Sequence, residues 1–278
     1  MGALDVEAAR RDIADRIHSL GKPGGDAWLQ HYTGSPHPVL GLSVPQMRTI
    51  LRGFRKEHPN LSARAVNDLA AAVRAGPSAD EKSVAVGLMD AHAKILSEES
   101  WRLLGRWVDE SVGWGMCDGL GAGPIAKMVR AKPARFSHLV RWARSRNPWR
   151  RRIALYALHD FVRAGELDKP LLLLEKLLYD EEFWVQRAVG TWLRECWKKN
   201  RRRTEAFLWR HAKGLPRIVI TVATERAPKS FRAAPKERGR RREGATAPST
   251  LTPRPLPCNP FIQPLHTEID GGVSDPLR

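Results

Sequence analysis

From Asp5 to about Arg226, apolar residues recur every three or four positions, and the two-residue alternation of a half-buried strand is nearly absent. That period puts one apolar stripe on each helix, so the segment folds only by stacking helices face to face. Start signals punctuate the pattern. Ser43-Val44-Pro45-Gln46 and Ser78-Ala79-Asp80-Glu81 read as capping boxes, and Asn147-Pro148 couples an N-cap to proline at the first helical position. The spacing predicts helices over 5–20, 24–32, 44–58, 62–75, 79–95, 98–108, 114–130, 134–144, 148–164, 168–179, 182–199, 202–213 and 217–226.

Short connections imply antiparallel neighbours, and Leu103-Leu104-x-x-Trp107, Leu139-Val140-x-Trp142 and Leu171 to Leu178 look like alternate members of helix pairs. The expected fold is all-α, an α-solenoid of degenerate HEAT-like helix pairs over 1–226. A compact irregular helical domain is the rival architecture. After Arg226 the composition shifts: residues 226–278 hold 9 of the 20 prolines and a basic run from Lys236 to Arg242. A disordered, basic, Pro-rich tail is expected over 227–278.

Lys and Arg number 47 against 30 Asp and Glu, a net charge of +17, which points to a polyanionic partner, nucleic acid first. Most of the excess lies outside the tail. Cys117, Cys196 and Cys258 lack C-x-x-C spacing, so neither a disulfide framework nor a cysteine zinc site is indicated, and no metal is expected. No Gly-rich phosphate loop or nucleotide fingerprint is present, so no cofactor is expected. The N-terminus lacks an apolar h-region and no stretch is long enough to span a membrane, so a cytoplasmic, soluble, monomeric protein is expected.

Three segments could carry chemistry. Trp114-Gly115-Met116-Cys117-Asp118 sets an indole and a carboxylate four residues apart, on one helix face. A half-buried Trp beside an Asp is also ordinary packing, so the pair alone does not decide. Asn147-Pro148-Trp149-Arg150-Arg151-Arg152 places three arginines at a helix start, where the macrodipole disfavours cations; a bound phosphate would neutralise them. The alternative leaves Arg150 and Arg151 solvated and pairs Arg152 with an acidic neighbour. Phe183-Trp184-Val185-Gln186-Arg187 interleaves aromatic and basic residues, and Trp184, Thr191 and Glu195 fall near one face with Trp192 a quarter-turn away.

These residues resemble the DNA alkylation repair enzymes, the AlkD-like HEAT-repeat DNA glycosylases. The resemblance runs from Tyr32 to Arg226. It rests on Tyr32 with Leu40-Gly41-x-x-x-Pro45-x-x-Arg48, Trp114-x-x-x-Asp118, Asn147-x-Trp149-x-x-Arg152, and Val185-Gln186-x-Ala188-Val189-Gly190 with Leu193-Arg194-Glu195. It implies excision of cationic N3- or N7-alkylated purines from double-stranded DNA, with Asp118 as the catalytic carboxylate, Trp114 lining the cleft and Arg152 holding the DNA backbone. Tyr32, Trp149, Arg150, Arg151, Trp184, Gln186 and Arg187 complete the expected DNA-binding set.

One position departs from the family pattern. A second cleft tryptophan belongs directly after the glycine, but the chain reads Gly190-Thr191-Trp192. Either Trp184 supplies that wall, or a different lesion is bound, or DNA is bound without base excision. The competing functions are a noncatalytic solenoid that recognises bent or branched DNA, and a protein-interaction scaffold.

Overall fold

Helix follows helix along the whole of the described chain, residues 4–227 of a computed structural model, with no strand among them. The tail expected beyond residue 227 lies outside the described residues. The helices are α1 (Val6–Leu20), α2 (Ala27–Thr33), α3 (Val44–Glu57), α4 (Ala63–Arg74), α5 (Ala79–Ala91), α6 (Glu98–Glu110), α7 (Trp114–Leu120) and α8 (Ala126–Ala131). They continue with α9 (Phe136–Trp142), α10 (Pro148–Tyr156), α11 (His159–Arg163), α12 (Asp168–Glu175), α13 (Phe183–Lys199), α14 (Arg201–His211) and α15 (Arg217–Ala223).

Both expected capping boxes form. Ser43 accepts from the Gln46 N–H and Ser78 from the Glu81 N–H, while the Gln46 and Glu81 side chains reach back to the N-cap N–H groups. Asn147 caps α10 through its Oδ1, 2.9 Å from the Trp149 N–H. α2 begins at Ala27 rather than 24, because the Asp26 carboxylate takes the N-cap place and accepts from Leu29 N at 2.8 Å. The helix expected over 79–95 stops at Ala91, and a single 3₁₀ turn, Ala93–Ile95, follows.

Two expected long helices are broken. The 114–130 segment contains a π turn, Gly121–Ile125, between α7 and α8, with Gly123 off the helical region at φ −89°, ψ −113°. Pro124 has no N–H to give the α ladder and its ring crowds the preceding turn, so the ladder widens by one residue there. The 148–164 segment tightens at Ala157 and Leu158, where ψ nears zero and Leu158 N bonds Leu155 O at 3.1 Å; α10 ends there and α11 begins.

One contiguous apolar core runs from Ala9 to Ala223. α1, α3, α4 and α5 form the first stack, α5 packs on α7, α7 on α10, α10 on α13, and α13 on α14 and α15. The molecule is therefore an α-solenoid of helix pairs stacked largely in chain order. Each fully buried side chain such as Phe54, Leu104 or Ile153 contributes roughly 1.5–3 kcal/mol.

Two close approaches set the frame of the central helices. The turn before α7 passes against the loop after α2: Gly113 sits at φ +86°, and a Cβ there would meet Gly34 O at 2.5 Å. The π turn meets α10 just as closely, since a Cβ on Gly121 would lie 2.6 Å from Tyr156 Cβ and 2.8 Å from Ile153 O. Gly121→Ala is expected to force α10 away and cost about 1–3 kcal/mol in urea unfolding. Gly119→Ala, where a Cβ meets nothing within 4 Å, should instead stabilise by about 0.5–1 kcal/mol. Equal effects of the two substitutions would show that the contact is not close-packed.

Candidate active site

α7, α10 and α13 converge on one buried ion pair. Asp118, four residues after Trp114 on α7, receives the fork of Arg152 from α10: Nε to Oδ1 at 2.6 Å and Nη2 to Oδ2 at 2.8 Å. Both residues are almost wholly buried, 5% and 4% exposed. Arg152 Nη1 donates to the Trp184 carbonyl of α13, and Nη2 also reaches the Tyr156 hydroxyl at 3.1 Å. Every nitrogen of the fork thus has an internal partner, the arrangement in which a buried guanidinium is tolerated.

Burial pushes the Asp118 carboxyl above its usual range, against the pull of Arg152, the Tyr156 hydroxyl and Arg187. Burial also opposes the Arg152 cation, but Asp118 and Tyr156 outweigh it and hold the guanidinium above its ordinary range. Tyr156 is raised by the same burial. Neither buried thiol is a nucleophile: desolvation raises Cys117, and pushes Cys196 up to about 12.

An aromatic wall flanks the pair. Trp114 donates through Nε1 to the Tyr32 carbonyl at 2.7 Å and meets the Tyr32 ring edge-on, centroids 5.1 Å apart. Trp184 faces Trp114 at 6.3 Å, Arg152 lies over the Trp184 ring at 5.9 Å, and Phe183 adjoins Trp184 edge-on at 5.1 Å. Trp192 points elsewhere. It is 3% exposed, packs edge-on against Tyr156 at 5.6 Å and His159 at 6.2 Å, and backs the ion pair from the core side. Thr191 is buried as well.

The arginines at the start of α10 correct the phosphate argument made from sequence. Carboxylates from other elements already meet them. Arg150 pairs with Asp109 of α6, and Arg151 with Asp180 (2.6 and 2.9 Å) while donating to the Ser145 and Arg146 carbonyls. Arg152 faces Asp118 rather than solvent, so contact with a DNA backbone would require this network to open. Sequence could not show this, because the acids arrive from 29 to 41 residues away. Gln186 is turned inward, donating to Asp180 O at 2.7 Å, and Trp149 packs on the core. Arg187 lies over Phe183 at 5.9 Å and has no ion pair or hydrogen bond among the described residues.

A second cationic group lies near the turn before α7. Arg74 stacks on Trp107 at 4.7 Å and donates to Met116 Sδ at 3.8 Å, with only the exposed Glu110 as counter-ion, 3.5 Å away. Lys82 Nζ caps the end of α4 through the Gly76 and Arg74 carbonyls. Desolvation, then the Lys82 and Arg74 charges, lower the pKa of His37. Tyr156 was the residue missed from sequence, although Arg152-x-x-x-Tyr156 repeats the one-face spacing of Trp114-x-x-x-Asp118.

A helical-repeat scaffold with a buried carboxylate beside an aromatic wall, on a strongly basic chain, defines a class of proteins that act on nucleic acid. The chain belongs to the DNA alkylation repair enzyme family, whose model matches residues 13–227. Among solved structures it is similar to a predicted DNA alkylation repair enzyme from Enterococcus faecalis. That match has a TM-score of 0.65 and 18% identity, over 76% of this chain and 98% of that one. It is also similar to AlkD2 from Streptococcus mutans, with a TM-score of 0.59 and 14% identity over 78% and 98% of the two chains. A third similar structure is smu.31 from Streptococcus mutans UA159, with a TM-score of 0.57 and 14% identity over 79% and 100%. At these identities the likeness establishes the fold. No curated protein matches the chain significantly. Among the described residues, no helix is long and apolar enough to cross a membrane.

Removing one member of the pair leaves a buried charge without a partner. Arg152→Ala is expected to cost about 3–5 kcal/mol of stability, and Tyr156→Phe, which deletes only the hydroxyl, about 1 kcal/mol. Chemical denaturation of both variants checks the order. A smaller loss for Arg152→Ala than for Tyr156→Phe would show that the network is not closed in solution.

Proposed function

We propose that this protein is a monofunctional DNA glycosylase that releases N3- or N7-alkylated, cationic purines from duplex DNA. The observation that carries this reading is the Asp118 carboxylate, desolvated and fixed in plane by Arg152 beside the Trp114 and Trp184 indoles. When the glycosidic C1′–N bond of a cationic purine breaks, its electron pair neutralises the departing base, and positive charge appears on the sugar. A fixed carboxylate in a low-dielectric setting stabilises that charge without reorganising. Water then adds to C1′, and the proton it sheds is taken up by a carboxylate oxygen, giving a free alkylpurine and an abasic site.

Arg152 acts in this reading as a positioning residue. Its fork occupies one lone pair on each Asp118 oxygen and leaves the others available. The indole faces favour a charged nucleotide over a neutral one, by about 0.5–2 kcal/mol, so the lesion's charge and lability set selectivity. A noncatalytic DNA-binding reading has one observation in its favour, namely that Arg152 already neutralises Asp118.

Asp118→Asn separates the two readings. It is expected to abolish release of free 7-methylguanine and 3-methyladenine from methylated DNA while duplex affinity stays equal or rises slightly. Undiminished release by that variant, or none by the wild type, removes the glycosylase assignment. Arg187 is assigned a phosphate contact, being the cation near the site with no internal partner among the described residues. Arg187→Ala is expected to weaken damaged and undamaged DNA alike and to lower the slope of log K against log salt by about one. A loss confined to damaged DNA would assign Arg187 to the lesion instead.

A further inference from the structure

We propose that the exposed indole of Trp28 is a stacking platform for an unpaired nucleobase displaced from the duplex beside the site. The proposal rests on the reading that the protein acts on duplex DNA. Trp28 is 63% exposed, far more than any other tryptophan among the described residues, although an indole gains much by burial. Its inner face is held flat: it stacks on Tyr32, four residues on in α2, with centroids 5.1 Å apart and planes 11° from parallel. Tyr32 is held in turn by its edge-on contact with Trp114 and by the Trp114 Nε1 bond to its carbonyl. The outer face of Trp28 is left to solvent.

The rings thus form a continuous series, Trp28, Tyr32, Trp114, Trp184 and Phe183, leading from solvent to the carboxylate of Asp118. A platform already ordered by its neighbours loses little entropy when a second ring settles on it. The surroundings select the occupant. A protein or lipid surface would need a broad apolar patch, but the neighbours of Trp28 on α2 include Gln30 and His31, and the exposed Lys22 stands beside the Asp26 cap. A flat aromatic face with a cation nearby, on a chain of net charge +17, suits a base attached to a phosphodiester. Two bases have that chemistry: the damaged purine once it leaves the stack, and its former partner on the other strand.

Binding of the full chain to three duplexes containing 2-aminopurine tests the proposal. One pairs it with thymine, one sets it opposite an abasic-site analogue as an orphan partner, and one carries it as a single-nucleotide bulge as a displaced base. The wild type is expected to quench 2-aminopurine emission in at least one unpaired duplex. Trp28→Ala is expected to restore that emission and weaken the same duplex by about fivefold to a hundredfold, with the paired duplex changed less than about twofold. Trp28→Phe should keep part of the affinity, and the duplex that responds identifies which base is captured. Equal affinities for wild type and Trp28→Ala, or a uniform loss over all three duplexes, overturns the platform. Absence of base release from methylated DNA, with this binding pattern intact, would defeat the glycosylase reading alone.

Discussion

Everything in the centre of this molecule is organised around one interaction, the ion pair of Asp118 and Arg152, closed off from water by three helices. Taking both charges out of water costs several kcal/mol each, so the pair holds only because the fork is bidentate and its remaining donors reach Trp184 O and Tyr156. The packing around it follows from that need. α7 supplies the acid, α10 the fork and the hydroxyl, and α13 the carbonyl. Gly121 has no side chain, so α10 can come near enough for the fork to reach. A core made only of apolar contacts would tolerate a shift of half an ångström between these helices. A buried two-point ion pair does not.

The displaced tryptophan shows how the same chemistry is redistributed in a helix. A one-residue shift turns a side chain by about 100°, so Trp192 cannot stand where a residue at 191 would. It turns inward instead and becomes the surface on which Tyr156 rests. Trp184, seven residues before Thr191 and so near the same face, stands opposite Trp114. The wall and its backing have changed places in sequence without leaving α13.

Much of the fold was legible because helical periodicity and caps are local. Ser43 with Gln46, Ser78 with Glu81, and Asn147 with Pro148 fix helix starts through bonds spanning two or three residues. The breaks at Gly121–Ile125 and at Ala157 were hidden. Pro124 announces a disturbance but not whether the chain kinks, ends or widens, and no residue type marks the tightening at Ala157. In the site, Trp114 and Asp118 could be set on one face from their spacing. The counter-ions of Arg150, Arg151 and Arg152 could not, since Asp109, Asp180 and Asp118 meet them only through tertiary packing. The cations looked uncompensated because only one dimension of the chain was in view.

The π turn at Gly121–Ile125 sets the phase between the acid and the rest of its segment. One residue more than an α turn requires is housed there, so α7 and α8 run nearly end to end with their faces out of register by about a residue's rotation. Asp118 can therefore face Arg152 while Met128 and Val129, further along, face the core. A single-residue deletion at this turn would leave composition, charge and helix content unchanged, yet it would swing the carboxylate by about 100°. In a comparison of related chains, gaps at this point therefore have a mechanical meaning: they mark where a continuous helix has been re-clocked and the site disassembled, even with every one of its side chains still present.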